Sequence, residues 1–285
     1  LAAKDNFFSI KKTLKIRGKV FDLIYPRVMG IINLTPDSFY LKSRHTNKTD
    51  IIKYTERLVK EGVDIVDLGA YSSRPGADDI SENEEWRRLE KGLKAIKREF
   101  SDLIISIDTF RSGIAKNAIG EGADIINDIS GGDADKLMFQ TIADLQVPYI
   151  LMHMRGTPKN MVTLTDYEDL LFDLIKFFEM RIRNLNQLGH NDIIIDPGIG
   201  FSKSVGQNYE ILKNLDYFKV LKLPLLIGVS RKSLIYKKLG VTAEEALNGT
   251  SILHTIALQK GVSFLRVHDV KEAAEVAKLV KLISN

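Results

Sequence analysis

Eight short apolar runs, rich in Ile and Val and each followed by a polar loop, constrain this chain more than any other feature. They cover residues 28–34, 65–69, 104–108, 125–129, 148–153, 193–198, 224–230 and 264–268, with starts 37, 39, 21, 23, 45, 31 and 40 residues apart. Runs this short, bounded by Gly, Pro or Asp, read as parallel strands buried on both faces. Between them, residues 51–61, 82–100, 114–121, 167–188, 243–260 and 271–282 place apolar side chains at helical spacing. Repeated strand-then-helix units without a composition break predict an α/β fold, a (β/α)8 TIM barrel spanning residues 1–285 as a single domain. Residues 7–24 alternate around Arg17-Gly18-Lys19, which predicts an N-terminal β-hairpin within 1–27 that closes the barrel bottom. An open doubly wound sheet competes with this reading, but it advertises a Gly-rich loop after its first strand. Here that strand runs into Asn33-Leu34-Thr35-Pro36-Asp37, and Gly198-Ile199-Gly200-Phe201 lacks the third glycine of a dinucleotide fingerprint.

Composition removes several function classes. The chain has no cysteine, which excludes disulfides, Cys-ligated zinc, iron–sulfur clusters and thiol catalysis. Its apolar runs fall far short of the ~20 residues needed to span a membrane. No basic-then-apolar leader pattern is present, so a cytoplasmic protein without a membrane partner is expected. Lys and Arg number 41 against 37 Asp and Glu, a net charge of +4. Residues 1–20 alone contribute +5, so the remainder is nearly neutral. The charge reads as a solvated basic hairpin, and no nucleic-acid partner is expected.

Barrel enzymes draw their catalytic groups from the C-terminal ends of several strands. Those ends carry Asn33, Asp67, Asp108, Asn127, Met152-His153, Asp196, Ser230-Arg231-Lys232 and Arg266 with His268. Helix caps account for a few Asp and Asn residues, but not for Lys, Arg and His converging with them. Carboxylates beside an Asn suit the N–H edge of a polar heterocycle. Lys, Arg and His donors suit a phosphate or diphosphate. No zinc-ligand spacing is present. A Mg²⁺ held mainly by substrate phosphates is compatible with one or two protein ligands.

Eight segments, each at a strand end, carry a resemblance that covers essentially the whole chain. They are Met29-Gly30-Ile31-Ile32-Asn33-Leu34-Thr35-Pro36-Asp37-Ser38-Phe39, Ser72-Ser73-Arg74-Pro75-Gly76, Ser106-Ile107-Asp108-Thr109 and Ile126-Asn127-Asp128-Ile129. The others are Met152-His153-Met154-Arg155-Gly156-Thr157-Pro158, Asp196-Pro197-Gly198-Ile199-Gly200-Phe201, Ser230-Arg231-Lys232-Ser233 and Arg266-Val267-His268-Asp269. Together they resemble the dihydropteroate synthase family. That resemblance implies condensation of 6-hydroxymethyl-7,8-dihydropterin diphosphate with 4-aminobenzoate in folate biosynthesis, sensitivity to sulfonamides, and a homodimer. Carried over residue by residue, it implies a pterin pocket of Asp108, Asn127, Met152, Asp196 and Lys232. The diphosphate would lie against Asn33, Ser73, Arg74, Arg266 and His268, with Mg²⁺ on Asn33. Phe39, Pro75, Phe201, Lys232 and Ser233 would border the aminobenzoate, and Asp37, Asp108 and Lys232 would be the catalytic groups.

The residues support those roles independently. Asp196 ends Ile-Ile-Ile-Asp-Pro-Gly, a carboxylate in an apolar wall. Arg266 and His268 share a strand face by the period of two. Ser233 opens a helix, where backbone N–H groups favour a carboxylate. His45, His153 and His190 read as structural or solvent-facing. Two stretches depart from the family's commoner pattern: Tyr71 stands where an acid is usual, and residues 40–45 lack the frequent Asp-Gly-Gly. Both lie in loops expected to close over the mouth. Two other readings stay open at this point, a non-catalytic pterin-binding relative and the pterin domain of a corrinoid-dependent methyltransferase.

Overall fold

Strands buried on both faces must satisfy their backbone groups against one another, and a closed ring does this with no edge left over. The computed structural model describes residues 10–35, 48–71 and 79–284. After a hairpin of β1 (Thr13–Ile16) and β2 (Lys19–Asp22) come β3 (Arg27–Asn33), β4 (Ile65–Gly69), β5 (Ile104–Asp108) and β6 (Ile125–Asp128). They are followed by β7 (Tyr149–Met152), β8 (Ile193–Asp196), β9 (Leu226–Ile227) and β10 (Phe264–Val267). Among the described residues, these last eight strands pair in parallel in the order β8-β7-β6-β5-β4-β3-β10-β9. A parallel bridge between Ile195 and Leu225, with Ile195 N–H donating to the Pro224 carbonyl at 3.0 Å, joins the two ends. The outer ring consists of α1 (Lys48–Lys60), α2 (Glu82–Glu99), α3 (Ser112–Gly120), α4 (Met138–Leu145), α5 (Leu170–Gln187), α6 (Val205–Lys213), α7 (Ser233–Leu239), α8 (Leu247–Gln259) and α9 (Val270–Ser284). The fold is a (β/α)8 barrel with an N-terminal antiparallel hairpin.

The period of two sorts each strand into an outward and an inward set. Outward residues such as Val66, Leu68, Ile105, Ile107 and Leu265 pack with the helices. Inward residues near the strand starts, Met29, Ile65, Ile125, Ile150, Ile194, Leu226 and Phe264, form one apolar cluster with Leu14, Ile16 and Leu23 of the hairpin region. The lower barrel is therefore filled by hydrocarbon, each fully buried side chain contributing about 1.5–3 kcal/mol. The hairpin turns on Arg17 and Gly18, both left-handed at φ 52° and 74°, as a two-residue turn between twisted strands requires.

The basic end is more than a solvated face. Arg17 donates to both carboxylate oxygens of Asp124 at 2.6 and 2.8 Å and to the carbonyls of Ser101 and Leu103 at 2.9 and 2.7 Å. Lys11 pairs with Asp192 at 2.5 Å. Lys12 and Lys19 remain exposed. Two of the hairpin's cations thus fasten it to acids below the barrel.

Among the described residues, three helices lie outside the stretches of helical spacing: α4 and α6, of eight and nine residues, and the seven-residue α7, of which the sequence shows only the opening at Ser233. Two turns are too few for an apolar stripe to stand out. The readable signal for α6 is its cap, in which Ser204 and Gln207 form a reciprocal capping box. Among the described residues no helix is long and apolar enough to cross a membrane. Leu14→Ala should lower the unfolding free energy in urea by about 2–5 kcal/mol while leaving kcat unchanged, because it empties the floor and leaves the opposite end untouched.

Candidate active site

Above the apolar floor the same inward positions become polar. The strand register aligns Asn33 with Gly69, Gly69 with Asp108, and Asp108 with Asn127. One rung lower, Ile31, Asp67 and Ser106 share a row. Arg266, inward on β10, reaches across this upper layer. Its Nε donates to Asp67 Oδ2 at 2.6 Å and its Nη2 to Asp108 Oδ2 at 2.7 Å. Asn127 Nδ2 donates to the same Asp67 oxygen at 3.1 Å. Asp67 is fully buried, and its other oxygen, like Ser106 Oγ, has no partner among the described residues.

Two carboxylates on one guanidinium leave an excess of negative charge in a low-dielectric space. Burial pushes the Asp108 carboxyl up to about 7; Arg266 pulls it back and Asp67 raises it further. Burial works against the Arg266 cation, but Asp67 and Asp108 outweigh it and raise its pKa.

On the far side, Asp196 ends β8, buried, with Oδ1 accepting Gly198 N–H at 2.8 Å. Burial raises its pKa and Lys232 opposes that rise. Lys232 caps α7, donates to the Ile199 carbonyl and lies 4.7 Å over the Phe201 ring. Burial draws its ammonium down to about 8, with Asp196 pulling upward. Gly228 approaches both Arg266 and Lys232: a Cβ there would lie 3.8 Å from Arg266 Cβ and 3.9 Å from Lys232 Nζ. Met152, Ile129, Met154 and Met161 form an apolar wall with Phe110 and Phe201 packed on it.

His268 follows β10, its backbone N–H and Nδ1 each 3.2 Å from Ser230 Oγ. Burial holds its pKa down at about 4, with Arg266 adding to the effect, so the imidazole is neutral near pH 7. The structure therefore brings Asp108, Asn127, Met152, Asp196, Phe201, Lys232, Arg266 and His268 to one end of the barrel. Asn33 is half-buried at the end of β3 and Ser233 exposed at the start of α7. Asp37, Phe39, Ser73, Arg74 and Pro75 lie outside the described residues. Arg231 of the strand-end set leaves the mouth and grips Asp269 through Nε and Nη2 at 2.8 and 2.9 Å. His153 and His190 are both buried, which fits a structural place; His45 is outside the described residues.

Sequence reasoning named Asp67 among the strand ends and assigned it no role. The signal was present, since Ile-Val-Asp-Leu-Gly sets a carboxylate on the same face as Ile65. Lys203, buried beside His153, carried no comparable signal. Among the described residues no group of three or more His, Asp or Glu side chains could hold a metal ion by itself. The Asn33 amide oxygen is a hard donor at the rim. One such ligand fits Mg²⁺ completed by phosphate and water, and does not fit a protein-caged zinc.

A family model described as pterin binding enzyme matches residues 29–268. The chain belongs to that family of barrel enzymes. Within it, the chain is 37% identical to the dihydropteroate synthase of Escherichia coli strain K12 over 267 residues, covering 93% of this chain and 94% of that one. A crystal structure of the Yersinia pestis dihydropteroate synthase with a sulfonamide drug superposes with a TM-score of 0.90 at 35% identity, covering 95% of this chain and 98% of the other. The Xanthomonas albilineans dihydropteroate synthase with 4-aminobenzoic acid gives a TM-score of 0.87 at 33% identity over 96% and 98%.

Asp67→Asn should cost about 3–5 kcal/mol of stability, because Arg266 loses one buried counter-charge. Carboxyl ¹³C NMR should also find Asp108 titrating below its wild-type value of about 7, because the Asp67 charge is one of the causes that raise it.

Proposed function

We propose that the mouth condenses 6-hydroxymethyl-7,8-dihydropterin diphosphate with 4-aminobenzoate to give 7,8-dihydropteroate and pyrophosphate, an alkyl transfer. The observation that carries this reading is one arrangement. Two inward carboxylates and an amide, Asp108, Asp196 and Asn127, flank a Met and Phe wall, with Arg266, His268 and Lys232 on the neighbouring strands. Asp196 presents an acceptor to the ring N–H and exocyclic amine of a flat pterin, and Met152 offers an apolar surface to its face. The Lys232 ammonium would reach the ring carbonyl. Among the described residues, Asp67 and Asp108 engage two of the five Arg266 N–H donors, and the other three would serve phosphate oxygens.

The chemistry is read as dissociative. The methylene C–O bond breaks and pyrophosphate departs with the electron pair, its charge met by fixed donors on Arg266 and His268. The exocyclic methylene cation is conjugated with the pterin, and the Asp108 carboxylate stabilises it. The arylamine nitrogen then forms the C–N bond and releases a proton. Asn33 would hold Mg²⁺, which when bound neutralises part of the diphosphate charge. The pocket's relatives bind a sulfonamide drug and 4-aminobenzoic acid, which supports sulfonamide sensitivity here. A homodimer belongs to the same proposal, supported by the exposed Tyr217, Val220 and Ile252.

Incubation with pterin diphosphate, 4-aminobenzoate and Mg²⁺ should release pyrophosphate and yield dihydropteroate. Binding without release would favour a non-catalytic relative, and methyl transfer to a corrinoid the methyltransferase reading. Asp196→Asn should weaken pterin diphosphate binding by about 10- to 100-fold by calorimetry, the worth of a charge-assisted hydrogen bond. Unchanged affinity would remove Asp196 from the pocket.

The free-enzyme pH profile of kcat/KM should be bell-shaped. It should rise through about 7 as Asp108 ionises and fall through about 8 as Lys232 loses its proton. Steady-state assays should find that Lys232→Gln abolishes the basic limb.

A further inference from the structure

Behind the mouth lies a buried cation with no part in the chemistry above. Lys203 is 8% exposed. Burial draws the Lys203 ammonium down to about 7, with Asp196 pulling upward. In its charged form it carries three N–H donors, matched by three uncharged acceptors around Nζ: His153 Nδ1 at 2.9 Å, the Phe201 carbonyl at 3.0 Å and the Gly198 carbonyl at 3.2 Å.

The backbone explains why the carbonyls converge. Gly198, Gly200 and Ser202 all have positive φ, 68°, 84° and 46°. Alternating left-handed residues coil the segment on itself, and a Cβ at position 198 would collide with the His153 carbonyl oxygen. His153 is a fixed anchor for this coil. Its backbone N–H donates to the Asp196 carbonyl at 2.9 Å, and its ring meets Phe177 edge-on at 4.6 Å. Burial, with Lys203 and the nearby arginines, holds its imidazole neutral, and facing the donor-only Lys203 ammonium at 2.9 Å, Nδ1 takes the acceptor place.

The coil bears two parts of the mouth, the Ile199 carbonyl that receives Lys232 and the Phe201 ring beneath the Lys232 ammonium. The Asp196 carboxylate also accepts the Gly198 N–H of the coil at 2.8 Å, while its backbone is set by β8 pairing opposite Met152.

We propose that Lys203 is a positioning residue: by binding His153, Gly198 and Phe201 at one point, it fixes the 198–203 coil so that the Phe201 ring forms the arylamine side of the mouth. This rests on the function proposed above. Lys203→Met keeps the buried stem and removes the three donors. It should raise KM for 4-aminobenzoate by about tenfold or more, a larger factor than its effect on pterin diphosphate Kd, which the coil touches only through Ile199 and Gly198. In ligand-free crystals of the variant, the Phe201 ring should have left Lys232.

Equal KM values, or a loss of active fraction with the ratio of the two substrate effects unchanged, would overturn the proposal. Should Lys203→Met not fold, His153→Phe keeps an aromatic ring but removes one acceptor. It should raise the same KM by about three- to fivefold, and no rise would overturn the proposal as well. Wild-type protein that fails to turn over would defeat the function reading alone. The position of Phe201 in the ligand-free Lys203→Met crystals then decides the role of Lys203, a ring unmoved from Lys232 refuting it.

Discussion

A guanidinium held between two carboxylates inside a barrel is a costly object, and the upper half of this structure is organised around it. Desolvation of Arg266, Asp67 and Asp108 is offset only by short, well-directed contacts, 2.6 and 2.7 Å here. Those contacts require β10, β4 and β5 to keep one register, so the ion cluster and the strand ladder enforce each other. The unpartnered oxygen of Asp67 and the raised Asp108 show the offset is incomplete. A site that must later meet a diphosphate and a developing cation keeps such unspent electrostatic potential.

The charge inventory makes this concrete. Among the described residues, Asp67, Asp108 and Asp196 face Arg266, Lys232 and Lys203 in or just behind the mouth, three acidic side chains and three basic ones. The whole-chain value of +4 says nothing of this balance, since its excess lies in the hairpin, where Arg17 and Lys11 bind Asp124 and Asp192. A polyanionic substrate meets groups whose ionisation is already poised near neutral pH, Asp108 at about 7 and Lys232 at about 8.

Much of the fold was legible in the sequence because strand facing is a local property. Ile65–Gly69 and Ile104–Asp108 coincide with their apolar runs, and the inward Asp108, Asp196 and Arg266 follow from period two. The family motifs made the rest of the pocket legible, down to Asn127 and Lys232. What could not be read is how strands slide past one another. Arg266 meets Asp67 across 199 residues, and Lys203 meets His153 across 50. No periodicity encodes either meeting, so Asp67 was visible without a role and Lys203 was not visible as a site residue at all. The short α4 and α6 escaped because their stabilisation comes from caps and packing more than from an apolar stripe.

The hairpin floor has a consequence for traffic. Leu14, Ile16 and Leu23 plug the lower end, so among the described residues the barrel is closed below and its polar layer faces the upper end. Asn127 and Asp196 are buried, Phe201 is half-buried and Ser233 exposed, so a ligand against the first pair lies deeper than one beside the second. Depth alone would then order the filling of a well closed at its base, the innermost ligand first.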